Sequence, residues 1–82
     1  MGFYVYMLRS NSKKSVTYVG YTNDLERRVK LHNSGKGAKF TRGRQWKLIY
    51  KEFFKSKNKA ISREYYIKKN RTLRNNIKKK HK

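Results

Sequence analysis

The strongest constraint on this chain's fold is where its aromatic and β-branched residues fall. They concentrate in three short runs: Phe3-Tyr4-Val5-Tyr6-Met7-Leu8, Val16-Thr17-Tyr18-Val19-Gly20-Tyr21, and Trp46 through Phe54. Runs of that length and composition fit strands. Only the cluster Asn11-Ser12-Lys13-Lys14-Ser15 separates the first two, which predicts a turn and an antiparallel hairpin. The register expected here sets Tyr6 directly opposite Tyr18 on one face; a bulge or a one-residue slip would separate them. In the third run Trp46, Leu48, Tyr50 and Phe54 share one parity, interrupted by Glu52, while Ile49 and Phe53 share the other.

Between and after the strands the period changes. Asn23 is placed to cap a helix, with Glu26 as its N3 partner and Asp24 in the first turn. Leu25, Val29 and His32 follow at helical spacing, with Arg28 flanking their stripe, and Gly35 stops the helix. Residues 33–45, NSGKGAKFTRGRQ, read as a Gly-rich basic loop. They lack the order of a Walker loop, and no strand precedes Gly35-Lys36-Gly37 to make a dinucleotide fingerprint. Lys36, Lys39, Arg42 and Arg44 make the loop a candidate nucleic-acid contact; the alternative is a solvated connection. A second helix is expected from Ser56 or Asn58 to Asn70, with apolar residues Ala60, Ile61, Tyr65 and Ile67. A short third helix carries Leu73 and Ile77. Lys78 to Lys82 read as a basic, disordered tail. The expectation is one domain over 1–77 with a tail at 78–82. Its fold class is α/β in the mixed sense: a three-stranded antiparallel sheet flanked by two main helices and a short third one.

Composition narrows the function. The 82 residues include 24 Lys or Arg and 4 Asp or Glu, a formal net charge of +20. Such a charge opposes compaction unless a polyanion or counterions relieve it, and the obvious polyanion is nucleic acid. A chain of this size buries roughly 60–65% of its unfolded surface, so the core is thin. No run approaches the roughly 20 apolar residues of a membrane helix. No signal-peptide pattern is visible at the N-terminus. There is no cysteine, hence no disulfide and no thiolate metal site. These features point to a cytoplasmic or nucleoid-associated protein without membrane or small-molecule cofactor; they leave the oligomeric state open, and a monomer is the expectation.

The four acids are the most informative residues. Asp24 and Glu26 are accounted for by helix capping, and Glu52 by an ion pair with a neighbouring Lys or Arg. Glu64 lies between Ala60, Ile61 and Ile67 on the helical face turned to the protein. A carboxylate there is costly unless a cation meets it. It is either a structural ion pair, with Arg28 as one possible partner, or a lone ligand for Mg²⁺, which keeps much of its water shell. Tyr6 and Tyr18 are either core aromatics or polar groups of a site. Arg28 is either one more surface base or a phosphate contact, and His32 either a helix-end residue with a satisfied ring or part of the same site.

The order of these residues resembles a known family. Tyr18-Val19-Gly20 after the first strand's Tyr4-Val5-Tyr6, then Arg28, His32 and finally Glu64 in Arg63-Glu64-Tyr65-Tyr66, is similar to the motif series of the GIY-YIG nucleases. Gly35-Lys36-Gly37-Ala38-Lys39-Phe40-Thr41-Arg42 resembles the small stand-alone bacterial members. The resemblance covers roughly residues 3–70. It departs at Tyr4, where the family has glycine, and no residue among Asn70, Asn75 and Asn76 can be assigned to the late asparagine of some members. The resemblance implies metal-dependent hydrolysis of DNA phosphodiesters, single-stranded or structured DNA included, in repair, recombination or processing. In that scheme Glu64 holds Mg²⁺ or Mn²⁺. Tyr6 is the general base toward the attacking water, with its pKa lowered by nearby cations, the metal included. Tyr18 orients water or phosphate, Arg28 neutralises phosphoryl charge, and His32 positions Tyr6 or assists proton transfer. The alternative is a non-catalytic basic nucleic-acid-binding module on the same fold.

Overall fold

A computed structural model describes residues 2–11, 16–37 and 39–80. The elements run β1 (Phe3–Ser10), β2 (Thr17–Thr22), α1 (Leu25–Asn33), a 3₁₀ turn (Lys39–Thr41), β3 (Trp46–Phe54), α2 (Lys57–Lys69) and α3 (Arg71–Lys80). The three strands form one antiparallel sheet in the order β2-β1-β3. The sheet, the two main helices and the third one are as the sequence predicts. Residues 12–15 of the predicted turn, Ala38 of the basic loop and residues 81–82 of the predicted tail lie outside the described residues.

β1 is central, so both of its faces are covered, which explains its continuous apolar run. Val5 and Met7 point to one side and join Val19, Ile49, Ala60, Ile67 and Ile77 under α2 and α3. Tyr6 and Leu8 point to the other side and join Trp46, with Tyr18, Leu25, Val29 and Leu48 packed against them, under α1. The chain therefore has two thin cores, one on each side of a three-stranded sheet.

The hairpin register differs from the expected one by two residues. Tyr6 faces Gly20, and Tyr18 faces Leu8. A shift of two keeps side-chain parity, so Tyr6 and Tyr18 remain on one face as diagonal neighbours, their ring centroids 6.4 Å apart. The connection sets this: Ser10 N–H donates to the Val16 carbonyl, which closes the hairpin later along β2 than a tight turn would. β3 does not keep one parity along its length. Met7 pairs with Tyr50 and Leu8 with Leu48, leaving Ile49 as an extra residue at a bulge. Trp46 and Leu48 consequently face α1, while Tyr50 and Phe54 face the α2 side. Glu52 accepts from both Tyr50 Oη and Arg63 Nε at 2.9 Å, the ion pair expected of it.

Three details of the helices correct the sequence reading. The N-cap of α1 is Asp24, not Asn23; its carboxylate accepts from Arg27 N–H at 3.2 Å. Thr22 Oγ1 fixes it there by accepting from Asp24 N–H, and this places the helix start one residue later. Glu26 then forms an exposed pair with Lys30 instead of a capping box. On α2, Ala60 and Ile67 are buried, but Ile61 and Tyr65 point outward. The buried strip is therefore narrower than the apolar count suggests. Finally, α3 continues through Lys80, so Lys78–Lys80 are helical where a disordered tail is expected. Lysines in a last turn complement the negative end of the helix dipole, which favours this extension. Asn70 joins α2 to α3: its N–H bonds the end of α2, and its Oδ1 accepts from Leu73 N–H to start α3.

Candidate active site

The five residues singled out in the sequence come from four elements. β1 carries Tyr6, β2 carries Tyr18, α1 carries Arg28 and His32, and α2 carries Glu64. Tyr6, Tyr18, Arg28 and Glu64, together with Gly20 and Lys57, line one cleft of about 390 Å³. α2 covers the opposite sheet face from Tyr6, so this meeting depends on β2 being an edge strand. The cleft straddles that edge at Gly20. A Cβ on Gly20 would lie 2.6 Å from Tyr6 Oη and 3.2 Å from the Tyr18 ring, so only glycine leaves the passage open. A larger groove, about 640 Å³, lies beside α1 over Tyr4, Leu25, Val29 and Leu48. It is mainly apolar and contains none of the five, so the smaller cleft, with its convergent polar groups, is the candidate site.

His32 lies behind the cleft wall and is fully buried. Its Nε2 is hydrogen-bonded to Tyr6 Oη at 2.9 Å, and its Nδ1 to Thr41 Oγ1 at 2.9 Å. Burial, then the Arg28 charge, holds its pKa below the usual value, so the ring is neutral and one nitrogen accepts. α1 ends so that this contact can form. Gly35 takes φ +80, and the N–H groups of Gly35 and Lys36 bond the carbonyls of His32 and Leu31, a Schellman ending. Gly37 then passes so near the imidazole that a Cβ would lie 2.4 Å from Nδ1. Thr41 is the functional contact that the sequence reading missed. The only trace of it in the sequence is the Gly35–Gly37 spacing, which reads as a weak phosphate loop but in fact lets the chain fold back over His32.

In the metal-free protein neither tyrosine has a lowered pKa. Burial raises the pKa of Tyr6, the neighbouring Tyr18 adds to the rise, and Arg28 offsets it only in part. Tyr18 is raised as well, by burial and then by Glu64. The excess of cations in the chain does not yield a tyrosinate, because few of them are near and the ring is desolvated. Both residues are neutral phenols at neutral pH.

Glu64 is the candidate metal residue. Its side chain is 17% exposed and pairs with Lys68 Nζ at 3.7 Å. Among the described residues it makes no hydrogen bond and no ion pair to Arg28, so a strong structural pairing does not account for it. No group of three or more His, Asp or Glu that could enclose a metal occurs among the described residues. A lone carboxylate at an open, polar cleft suits a cation that takes its remaining ligands from water and substrate. In the basic loop Lys36, Lys39 and Arg42 are exposed and Arg44 is partly so. None of the four lines the cleft; Arg44 stands over Phe40, which stacks on Tyr18.

A small antiparallel sheet carrying paired tyrosines on its hairpin, an Arg–His helix after it and a glutamate on the next helix is the framework of a GIY-YIG catalytic domain. Residues 2–79 match that domain, and the chain belongs to the GIY-YIG family, a nuclease-type hydrolase superfamily. It is 58% identical over 67 residues to a UPF0213 protein of Clostridium perfringens, a match covering 80% of this chain and 70% of that one. It is 52% identical over 68 residues to the UPF0213 protein YazA of Bacillus subtilis, covering 82% of this chain and 65% of that one. The solution NMR structure of a UPF0213 protein from Bacillus halodurans superposes with a TM-score of 0.54 at 42% identity, over 94% of this chain and 82% of that one. These relatives are of the small, single-domain type. The chain thus spans about two thirds of the length of the curated relatives. No helix among the described residues is long and apolar enough to cross a membrane.

Proposed function

We propose that this protein is a divalent-metal-dependent nuclease that hydrolyses phosphodiester bonds in DNA, with single-stranded or structured DNA as its substrate, in repair, recombination or processing. The observation that carries this reading is the meeting of Glu64, Arg28, Tyr6 and Tyr18 at one cleft in a chain of net charge +20. Glu64 would hold Mg²⁺ or Mn²⁺, which would supply Lewis-acid stabilisation of the charge that develops in phosphodiester hydrolysis. Arg28 is exposed at the cleft and neutralises the non-bridging oxygens. Tyr18 orients the phosphate or the attacking water.

Proton removal is assigned to Tyr6 and His32 together. In the metal-free protein Tyr6 is held as a phenol. His32 is neutral, and its Nε2 is 2.9 Å from the phenol oxygen. In the tautomer with Nε2 unprotonated, Tyr6 passes its proton to His32 while taking one from the attacking water, so no isolated tyrosinate forms. Burial, which raises the tyrosine and lowers the histidine, favours the neutral resting pair.

The test is cleavage of single-stranded, duplex, flap and junction DNA, and of RNA, with Mg²⁺, Mn²⁺ or EDTA. Glu64→Gln should reduce cleavage by more than the roughly 100-fold that loss of one transition-state donor costs. It should leave DNA binding intact or tighter, because a negative charge near phosphate is removed. No cleavage of any substrate with any metal would leave the non-catalytic binding module as the reading.

A further inference from the structure

Phe40 is an exposed aromatic that neither core explains. Its ring is 53% exposed, although one side is fixed. It lies nearly parallel to Tyr18, at 22° with centroids 6.3 Å apart, and is tilted 41° to the buried Trp46 ring, with centroids 6.2 Å apart. The backbone carrying it is anchored by the next residue. Thr41 is fully buried, bonds His32 through Oγ1, and accepts from Trp46 Nε1 through its carbonyl at 2.9 Å. The ring is therefore held outward by a built contact, one ring away from the cleft. Arg44 stands over it, with Cζ 5.5 Å from the centroid, and Lys39 and Arg42, near it in sequence, are exposed. The other exposed aromatics lack this combination. Tyr65 and Tyr66 also carry a cation, Lys69 Nζ at 4.4 Å and Arg63 Cζ at 5.3 Å, but neither ring stacks on a residue of the cleft, and Phe53 packs edge-on against Tyr4.

We infer that Phe40 and Arg44 form a stacking site for one unpaired nucleobase next to the phosphate held in the cleft. The inference rests on the nuclease reading of that cleft. A base offers a flat π-face that both a phenyl ring and a guanidinium plane can cover, and stacking of this kind tolerates any base. Inside a duplex both faces of each base are already covered, so the site discriminates for bases that have left the stack. The loop's cations suit the strand's phosphates, and the chain's net charge disfavours a second copy of itself as the occupant.

The experiment measures binding without cleavage. Glu64→Gln protein is titrated, in EDTA, with single-stranded oligonucleotides containing 2-aminopurine, and with duplexes of the same sequence. Emission of 2-aminopurine should fall on binding. Adding Phe40→Ala should abolish that fall and weaken single-strand affinity about 5- to 100-fold, with duplex affinity unchanged. Phe40→Tyr should retain both the quench and the affinity. Phe40→Leu keeps an apolar contact to Tyr18 without the π-face and should lose them, which covers the case where Phe40→Ala unfolds by circular dichroism. Folded variants with unchanged quench and affinity would overturn the inference. So would a Phe40-dependent dimer by sedimentation without an effect on oligonucleotide binding. If the unsubstituted protein cuts nothing while the quench still depends on Phe40, the nuclease reading fails and the stacking site stands. If it cuts and the quench ignores Phe40, the stacking site fails alone.

Discussion

Gly20 lacks a side chain because Tyr6 occupies the space one would need. The Tyr6 hydroxyl cannot retreat: it is buried and tied to His32. Gly20→Ala should therefore cost about 1–3 kcal/mol of stability, measured by denaturant melting, and should reduce cleavage by displacing Tyr6. An alanine variant with unchanged melting would show that the contact relaxes freely. His32 supports a second prediction. Its pKa in the folded protein lies below the ordinary value of 6.5, so on acidification the unfolded chain takes up a proton first. Its contribution to stability is thus present above about pH 6.5 and is lost as pH falls through the folded value. The melting temperature should decline from pH 7 to 5, and His32→Gln should flatten that decline; equal slopes would mean that another group governs it. The glycine and the histidine were both legible in the sequence, as members of a spaced series. Thr41 was not, because its role depends on a loop folding back onto a helix, and no local pattern encodes such a contact.

Existence and order of the elements were legible because each carries its own period, and three apolar runs can pair in few ways. Details that depend on how elements meet were not. The hairpin register follows from where the connection closes, and the turn residues alone do not fix that. The bulge at Ile49 has no local signal in the sequence: Glu52 stays on the face of Tyr50 and Phe54, and only the pairing with Met7 and Leu8 shows which residue is extra. The start of α1 is another case. Asn23 and Asp24 are both good caps, and Thr22 decides between them by accepting from the Asp24 N–H. Asp24→Ala should destabilise the protein by about 1 kcal/mol, while Asn23→Ala should stay within about 0.5 kcal/mol of the parent in the same melt. The reverse order would restore the earlier cap. Since α1 positions both Arg28 and His32, weakening its first turn should also lower activity, although neither side chain is touched.

At the scale of the whole molecule the charge acts in two directions. Self-repulsion among 24 bases and four acids strains the folded state, and added salt screens it. The same cations bind nucleic acid by releasing counterions, and added salt weakens that binding. Each acid has a placement that leaves the basic surface free: Asp24 caps α1, Glu26 pairs with Lys30, Glu52 with Arg63, and Glu64 lines the cleft. Raising salt from about 50 to 200 mM should therefore raise the melting temperature of the free protein while single-strand affinity falls steeply. Replacing Lys36, Lys39 and Arg42 together by Gln should flatten the plot of log affinity against log salt by about 2, since each lost contact to a single strand removes about 0.7 from the slope. An unchanged slope would exclude the loop from the phosphate path. That would confine the electrostatic contact to groups such as Arg28 and Lys57 at the cleft itself, and the loop's cations would then serve only to solvate it.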